Sequence, residues 1–564
     1  MNLKALLRKL EVDQHGEQIN VEGQFINRDT IPQPKSKRNY GPWSFVGIWM
    51  VTGSFNIGGY TTGSSLISLG LNVWQSMLVV IIGHIINGFT CVGTGWPGGK
   101  YHIGYPILQR AAWGTRGADF VIALRIVLTF TWIAIQLWWG SQVVKTFIGA
   151  IWPSFYNLTT PLASGTMVVS DFVAFILYAV ICAPVVWFRP QKYHLFFAVS
   201  SVAMVICVFS MLGWAVGTAG GPGALVHDTS ALAGVDPAKG SDLGYAFVFG
   251  ISSMLGGLSV HLLHQSDYTR LARKPGDQVF SQLVIVPLGT ILNSLIGIIV
   301  TSCAAQLYPS EGLLWEPFDL FQVVQSDSGN SGRTRCAVAF ASLAFICGQL
   351  GLTVCGNTFS GGIDLAGLFP RYFTIRRGAY LTLCMGFVMQ PWSLLNGASK
   401  FLTVISAFST FLAPMIAILI ADFFILRHRR LSLLHLFTNS PKSIYWSFHG
   451  FNIRTFGCWL AGVIPFLPGF ASNVEKSGLT GAIRLYKLGF IVGFAIGFIT
   501  YILVNLIWPP PSPDLEDDED YFGTFDNAQT EYVERQQVGT DEEKEEKEDA
   551  GEKGSSASVH VLGA

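Results

Sequence analysis

Residues 51–65 read VTGSFNIGGYTTGSS and lie inside an apolar stretch that is long enough to cross a lipid bilayer. The segment holds four glycines, Gly53, Gly58, Gly59 and Gly63. A backbone amide that loses its helical partner inside a bilayer has no water to bind, so irregular backbone persists there only beside protein groups or a polar cavity. The segment therefore predicts a broken membrane helix beside a cavity. The alternative is that these glycines only allow close helix packing.

A second glycine-rich segment lies in a later apolar stretch, where residues 249–270 read FGISSMLGGLSVHLLHQSDYTR. Gly256 and Gly257 stand near its middle. Paired interruptions at corresponding positions are the main sequence indication of a transporter built from two inverted repeats. We therefore predict that the first and sixth spans are broken, the sixth at Gly256 and Gly257, and that two five-helix repeats meet there.

The composition is typical of a membrane protein, because 50% of the 564 residues are hydrophobic and only 13% are charged, whereas soluble domains carry roughly 25% charged residues. We predict an all-α polytopic membrane protein with 12 transmembrane helices, namely a 5+5 inverted repeat with helices 1 and 6 broken, followed by two C-terminal helices. A span needs about 20 apolar residues. The predicted spans are residues 44–69, 73–93, 119–150, 170–188, 195–218, 245–265, 279–306, 336–360, 378–395, 402–425, 454–471 and 485–508.

The charges predict the orientation of the chain. With both termini in the cytoplasm, the inner loops carry sixteen lysine and arginine residues and the outer loops seven, as the positive-inside rule requires. A glycosylation sequon at Asn157 falls in a predicted outer loop, which agrees with this orientation. The predicted organisation is a cytoplasmic N-terminal segment (residues 1–43), a transmembrane domain (44–508) and an acidic cytoplasmic tail (509–564).

The tail contains DLEDDEDYFG and DEEKEEKEDAGEKGSSAS, a composition typical of disordered segments. One interpretation is a solvating tail without a partner. The other is a trafficking tail on which Lys544, Lys547 and Lys553 are targets of the ubiquitination machinery. The net charge of zero gives no indication of a nucleic-acid partner.

Few polar residues lie within the predicted spans. Trp132 and Gln136 are four residues apart in the third span, so they share a helical face. An indole can stack on a flat ring, and a side-chain amide offers both donors and an acceptor, so this pair suits a planar heterocycle. The alternative is a packing Trp and a Gln bonded to a neighbouring helix. Asn357 in the eighth span either binds substrate or joins two helices.

The sequence lacks the patterns of a catalytic or metal centre. We find no phosphate loop, no metal-spaced cluster of His and Cys and no GxSxG nucleophile, so an enzyme is not indicated. Acidic residues fall at the ends of the predicted spans. His84, His261 and His264 are the mid-span groups that ordinarily titrate near neutral pH.

Several long segments resemble one family in the order in which that family carries them. They are NRDTIPQPKSKRNYGPWSF (27–45), SFNIGGYTTGSSLISLGLNVWQ in the first span, YHIGYPILQRAAWGTRG (101–117), GNTFSGGIDLAGLFPRYFTIRRGAY (356–380), KFLTVISAF (400–408), AGVIPFLPGF (461–470) and GAIRLYKLGFIVGF (481–494). The chain resembles the nucleobase–cation symporters of the purine-cytosine permease superfamily, and specifically their fungal uracil and allantoin permease branch. The resemblance covers residues 27–508.

The resemblance implies a LeuT-like transporter in the plasma membrane that works by alternating access. In the family pattern a Trp stacks on the substrate ring, a Gln one turn later bonds its amide edge, and an Asn in the eighth span also bonds substrate. Trp132, Gln136 and Asn357 match these positions. The broken first span adds Phe55 and Asn56 to the expected substrate site, and the sixth span adds Gly257, Leu258 and His264.

Three departures from the family pattern bear on the coupling ion and the cargo. Leu352 stands where sodium-using relatives have a hydroxyl residue, so we expect a proton rather than sodium, and no cofactor. Leu258 replaces an aromatic ring and His264 replaces an Asn, so one stacking face is lost. The expected cargo is uracil, allantoin or a related nucleobase. The alternatives are a vitamin (thiamine, nicotinamide riboside or pyridoxine) or a nutrient sensor that binds without transporting.

Overall fold

The computed structural model describes residues 11, 29–50, 54–188, 194–230, 232, 235–475 and 480–510, with the side chains of residues 194–198, 474 and 475 excepted. These residues are mostly helical. The first half contains a two-residue antiparallel hairpin, β1 (Pro161–Leu162) and β2 (Met167–Val168). Its helices are α1 (Pro42–Trp49), α2 (Ile57–Ser65), α3 (Val73–Tyr101), α4 (Tyr105–Trp113), α5 (Gly117–Ile151), α6 (Val169–Trp187) and α7 (His194–Ala219).

The second half is also helical among the described residues. Its helices are α8 (Gly240–Leu263), α9 (Gln265–Thr269), α10 (Val286–Leu307), α11 (Pro317–Asp327), α12 (Gly332–Gly351), α13 (Phe359–Leu368), α14 (Ile375–Val388), α15 (Pro391–Leu394), α16 (Ala398–Ile420), α17 (Leu433–Phe437), α18 (Ile453–Val463), α19 (Leu467–Glu475), α20 (Thr480–Lys487) and α21 (Gly489–Ile507). Three π-helical segments adjoin them, Ser281–Ile285, Leu352–Thr358 and Ala421–Leu426.

Ten helices in the described part of the chain are long and apolar enough to cross a membrane. They correspond to ten of the twelve predicted spans. The predicted first span is divided into α1 and α2, and the predicted ninth is α14, which is only 14 residues long. The fold class is confirmed as a polytopic helical bundle, while the number of twelve and the inverted repeat stay predictions.

The first span is interrupted, as predicted. Asn56 is extended, with φ −153° and ψ 168°, and its side-chain oxygen accepts a hydrogen bond from the Gly59 amide at 2.8 Å. This is an N-cap: the side chain satisfies an amide that has no partner at a helix start. The helix α2 therefore begins at Ile57 inside the bundle. Gly53 lies outside the described residues.

The predicted position of the break in the sixth span is wrong. The helix α8 continues through Gly256 and Gly257 and ends at Leu263, and the interruption falls at His264, where φ is −105° and ψ is 25°. A Cβ on Gly256 would lie 2.4 Å from the Ile405 carbonyl oxygen of α16. This glycine therefore serves close packing of two helices rather than a break in one of them.

Four pairs of helices make extensive contacts in the bundle. The helix α16 packs on α8 and α21, α12 packs on α5, and α10 packs on α2. Close contacts at glycines hold these pairs together; for example, a Cβ on Gly63 would lie 2.5 Å from the Ser294 carbonyl oxygen. Helices in lipid associate mainly through such packing, since the surrounding tails are as apolar as leucine.

Candidate substrate site

A cavity of about 100 Å³ lies between α2, α3, α5, α8, α10 and the π segment Leu352–Thr358. Seven of the eight residues predicted for the substrate site line it: Asn56, Trp132, Gln136, Gly257, Leu258, His264 and Asn357. The eighth, Phe55, is not among the lining residues, and its ring packs 6.1 Å from that of Phe209 in α7. The structure thus brings together residues from spans that are far apart in sequence.

One face of α5 supplies the aromatic wall. Thr129, Trp132 and Gln136 are three and four residues apart, and all three line the cavity. The Trp132 ring makes edge contacts with Trp139 and Phe408, at centroid distances of 6.2 Å and 6.4 Å. These contacts pack the indole against two other rings in the edge-to-face arrangement that aromatic pairs favour.

Gln136 is hydrogen-bonded by Gln349, a residue that the sequence does not identify as part of the site. The Gln349 side-chain nitrogen donates to the Gln136 backbone carbonyl at 3.1 Å and also to its side-chain oxygen. Both side chains are about 1% exposed. Gln349 lies in α12, and no local pattern in the sequence pairs it with α5.

Asn357 lies in the π segment Leu352–Thr358. Its side-chain nitrogen donates to the Leu352 carbonyl at 3.0 Å. Single π turns inside α-helices occur frequently at functional sites, because they turn a side chain and a carbonyl out of register. Leu352, which has no side-chain oxygen to offer an ion, also lines the cavity.

The interruption at His264 separates the cavity from a larger one of about 830 Å³, which we call the vestibule; both are lined by His264 and Ser360. The His264 Nδ1 atom bonds the Val260 carbonyl at 2.6 Å, and its Nε2 atom lies 3.3 Å from the Tyr268 hydroxyl. That hydroxyl donates to the Gly356 carbonyl at 3.3 Å. Tyr268 therefore joins the sixth span to the π segment at the neck between the two cavities.

A buried charged cluster lies beside this neck. Arg125 of α5 pairs with Asp364 of α13 and donates to the Ser360 hydroxyl at 2.6 Å. The side chains of the ion pair are 0% exposed. Asp267 accepts from the Tyr105 amide at 2.7 Å. Asp267 and Asp364 each keep one buried oxygen that has no partner among the described residues.

Sequence reasoning missed this cluster because it placed both aspartates at span ends and did not consider Arg125. A signal was available, since Arg125 lies seven residues before Trp132 and so shares its helical face.

Residues 313–319, which we call the cover segment, bond to two of the helices that line the cavity, α2 and α5. The Trp315 ring lies 5.4 Å from Phe401, and the Trp315 carbonyl accepts from the Ser64 hydroxyl of α2 at 2.6 Å. Glu316 accepts from the Trp139 indole at 3.0 Å. Burial, with the nearby Asp319 charge, raises the pKa of Glu316 well above its ordinary value. Burial also raises the pKa of Asp319 to about 6, although the Lys145 charge opposes this rise.

An apolar helical bundle in which the first and sixth spans are interrupted beside a cavity with several polar side chains has the architecture of a membrane transport protein. Broken helices at such a site expose backbone amides and carbonyls to a solute. Residues 31–493 match the family described as permeases for cytosine/purines, uracil, thiamine and allantoin. The chain belongs to this family, the nucleobase–cation symporters, and it is a permease rather than an enzyme.

Individual relatives agree with this assignment. The chain is 31% identical to the transporter aclS of Aspergillus oryzae, over 93% of each chain. It is 30% identical to the allantoin permease of Saccharomyces cerevisiae, over 87% of this chain and 78% of that protein. A solved structure of Mhp1, a nucleobase-cation-symport-1 family transporter in a closed conformation with bromovinylhydantoin bound, covers 88% of this chain and 100% of its own, with a TM-score of 0.67 and 19% identity. This last likeness establishes the shared fold.

Proposed function

We propose that this permease imports uracil, allantoin or a related small planar heterocycle with amide groups, in symport with a proton. The single observation that carries the proposal is the convergence of Trp132, Gln136 and Asn357 on one cavity. The indole offers a stacking face and the two amides offer hydrogen bonds, while the apolar surroundings exclude water. A flat, neutral solute that satisfies both amides fits this chemistry.

Substitution of the two amides tests the site. We expect Gln136→Ala and Asn357→Ala each to reduce uptake of labelled cargo to background with normal surface expression. Each variant removes a hydrogen-bond partner and leaves a buried polar group of the cargo unpaired, which weakens binding strongly. Gln306→Ala and Asn505→Ala are matched controls, since these amides lie outside the cavity lining and donate to the Ala219 and Tyr501 carbonyls, respectively. Transport like that of the wild type in both cavity variants would overturn the site assignment.

The buried cluster beside the neck supports proton coupling. Asp364 bonds Arg125 through one oxygen, and its other oxygen has no partner among the described residues, so a proton can be added to that second oxygen while the hydrogen bond from Arg125 persists. We expect Asp364→Asn to abolish concentrative uptake while leaving exchange of cargo across the membrane.

Asp422→Asn is the control for this substitution, because Asp422 and Arg427 form another buried ion pair, at 2.7 Å. Wild-type uptake that is insensitive to a proton uncoupler would contradict proton coupling.

A vitamin is the second candidate cargo. Leu258 lines the cavity with an aliphatic side chain where the family pattern has an aromatic ring, so one stacking face for a nucleobase is missing. The family description includes thiamine beside the nucleobases. A vitamin carrier should ignore an excess of unlabelled uracil, whereas a nucleobase permease should be inhibited by it, so a competition panel separates the two.

The charge asymmetry supports the proposed orientation, and the family resemblance supports the proposed location. We place the permease in the plasma membrane with both termini in the cytoplasm, and the tail as the substrate of the ubiquitination machinery. The tail lies outside the described residues. Deletion of residues 514–564 should slow turnover and leave uptake per surface molecule unchanged. Loss of a nutrient signal without any change in uptake would instead favour the sensor hypothesis.

A further inference from the structure

A stripe of large apolar side chains runs along one exposed face of α3. Its members are Trp74, Leu78, Ile85 and Phe89, which are 48–65% exposed. They follow one another at steps of four and seven residues, so they share the face of this membrane helix that contacts lipid. Further steps of seven and four residues lead to Trp96 and Lys100, which are partly buried. The lipid-facing side of α3 therefore ends in an aromatic ring and a cation.

The chain after the π segment Ala421–Leu426 turns back onto this end of α3. His428 and Arg429 in that turn have positive φ values of 47° and 65°, a conformation that costs free energy in residues other than glycine. The Arg429 carbonyl accepts hydrogen bonds from the Lys100 ammonium at 2.7 Å and from the Tyr101 hydroxyl at 3.2 Å. These bonds hold the turn, and with it the Arg429 side chain, beside the end of the lipid-facing stripe.

The Arg429 side chain lies over two aromatic rings. Its guanidinium carbon is 5.7 Å from the ring centre of Trp96 and 5.3 Å from that of Phe424. A guanidinium that stacks on rings keeps the N–H donors at its edge available for a phosphate group. In the part of the chain that the structure describes, no group accepts a hydrogen bond from these donors.

The positive charge of this cluster is not neutralised by any described carboxylate. Arg427, the first arginine after the π segment, is paired with Asp422. Within the described ranges, by contrast, no Asp or Glu side chain pairs with Lys100 or Arg429. The positive charges of Arg430 and Arg429 both act on the Lys100 ammonium. Like charges held this close repel each other, so an anion between them stabilises the arrangement.

We propose that Lys100 and Arg429 bind the phosphate group of an anionic phospholipid at the seam between α3 and the π segment Ala421–Leu426. A lipid is favoured over a free anion because the two cations lie where the lipid-facing stripe of α3 ends, beside the rings of Trp96 and Phe424. Charge asymmetry alone accounts for cations at this end of the bundle, but not for their fixed placement on one carbonyl and two rings. The site is independent of the cargo, and the proposed orientation places it in the cytoplasmic leaflet, where anionic lipids are concentrated.

A matched pair of lipids tests the site. Phosphatidylserine and phosphatidylcholine with the same acyl chains are titrated into the purified full-length permease, and intact-protein mass spectrometry measures the affinity for the first lipid bound. We expect phosphatidylserine to be preferred by about thirtyfold, the value of roughly two basic side chains at a membrane surface. The preference should fall as the salt concentration rises. A wild type without this preference overturns the inference.

Substitution of the two cations assigns the preference to this seam. Lys100→Gln keeps a donor for the Arg429 carbonyl, and Arg429→Gln keeps the backbone of the turn, so each should lower the phosphatidylserine affinity by about fivefold and leave the phosphatidylcholine affinity unchanged. Arg429→Lys retains the charge and should recover most of the preference. A merely structural defect weakens the binding of both lipids. An unchanged preference in both glutamine variants overturns the inference.

Arg371→Gln is the control, because it also removes one exposed cation, but one that Glu11 already pairs. This variant should keep the wild-type preference. Inorganic phosphate, compared with chloride at equal ionic strength, should not displace phosphatidylserine, and displacement would identify a free-anion site instead. A preference that appears only after deletion of residues 514–564 would show that the acidic tail occupies the cations in the full chain. Either result overturns the lipid site.

Discussion

The glycine-rich segments of α2 and α8 both line the cavity, yet only one of them follows a break. Asn56 is extended and caps the amide of Gly59 at the start of α2. Gly256 and Gly257 lie inside a continuous helix. The difference is a polar cap: Asn56 satisfies an amide that the break leaves free, and the residues around Gly256 offer no such extended cap. Glycine permits a helix break, and a side chain that bonds the released amide stabilises the broken helix within the bilayer.

The two adjacent glycines of α8 also differ from each other. A Cβ on Gly256 would lie 2.4 Å from the backbone carbonyl of Ile405, which has little freedom to move. A Cβ on Gly257 would lie 3.4 Å from the Ile405 side chain, an ordinary contact, and Gly257 lines the cavity. One glycine therefore serves the packing of α8 on α16, and the other leaves room for the solute.

The largest expected effect separates these two glycines. Gly256→Ala should destabilise the fold by about 1–3 kcal/mol or more, because overpacking against a backbone atom forces two helices apart. Surface expression and the melting temperature of the purified protein measure this effect. Gly257→Ala is the matched control and should fold normally while narrowing the cavity. A Gly256→Ala protein as stable as the wild type would contradict the packing role of Gly256.

A smaller effect is expected at the cap of α2. Asn56→Ala should cost about 1 kcal/mol, the usual value of an N-cap, because the Gly59 amide then loses its partner. Asn56→Ser restores a capping oxygen and should recover most of the melting temperature of the purified protein. If serine is as damaging as alanine, the side chain of Asn56 has another role than capping.

The same contrast explains which parts of the site could be predicted from the sequence. Trp132, Gln136 and Asn357 could be predicted as site residues. Helical spacing places the first two on one face, and the family pattern identifies all three. Helical spacing places Arg125 on the same face as Trp132, but a single sequence carries no signal that pairs Arg125 with Asp364 or Gln349 with Gln136, because each pair joins different spans. Glycine content predicts the break of the sixth span at Gly256, whereas it lies at His264. Glycine content alone does not distinguish a broken helix from one that packs closely on its neighbour.

The smallest expected effect concerns the cover segment, to which the broken span is tied through Ser64 and Trp315. We call the cover segment seated when it is packed as in the structure. In this state the pKa values of Glu316 and Asp319 are both raised, that of Asp319 to about 6. A carboxyl group whose pKa is higher in the seated state stabilises that state when protonated. Its contribution is complete below the ordinary pKa, near 4, and is lost as the pH rises through about 6.

Lys145 and Asp171, which form an ion pair at 2.8 Å, are the charged groups that act on Asp319 from α5 and α6. Hydrogen exchange of residues 313–319, corrected for intrinsic rates, should therefore show stronger protection at pH 5 than at pH 7.5. Glu316→Gln keeps an acceptor for the Trp139 indole but cannot ionise, so it should reduce this pH dependence. Protection that increases with pH in the wild type would show that the seated state favours the charged carboxylates. The Lys145 charge, rather than protonation of Glu316 and Asp319, would then stabilise the cover segment.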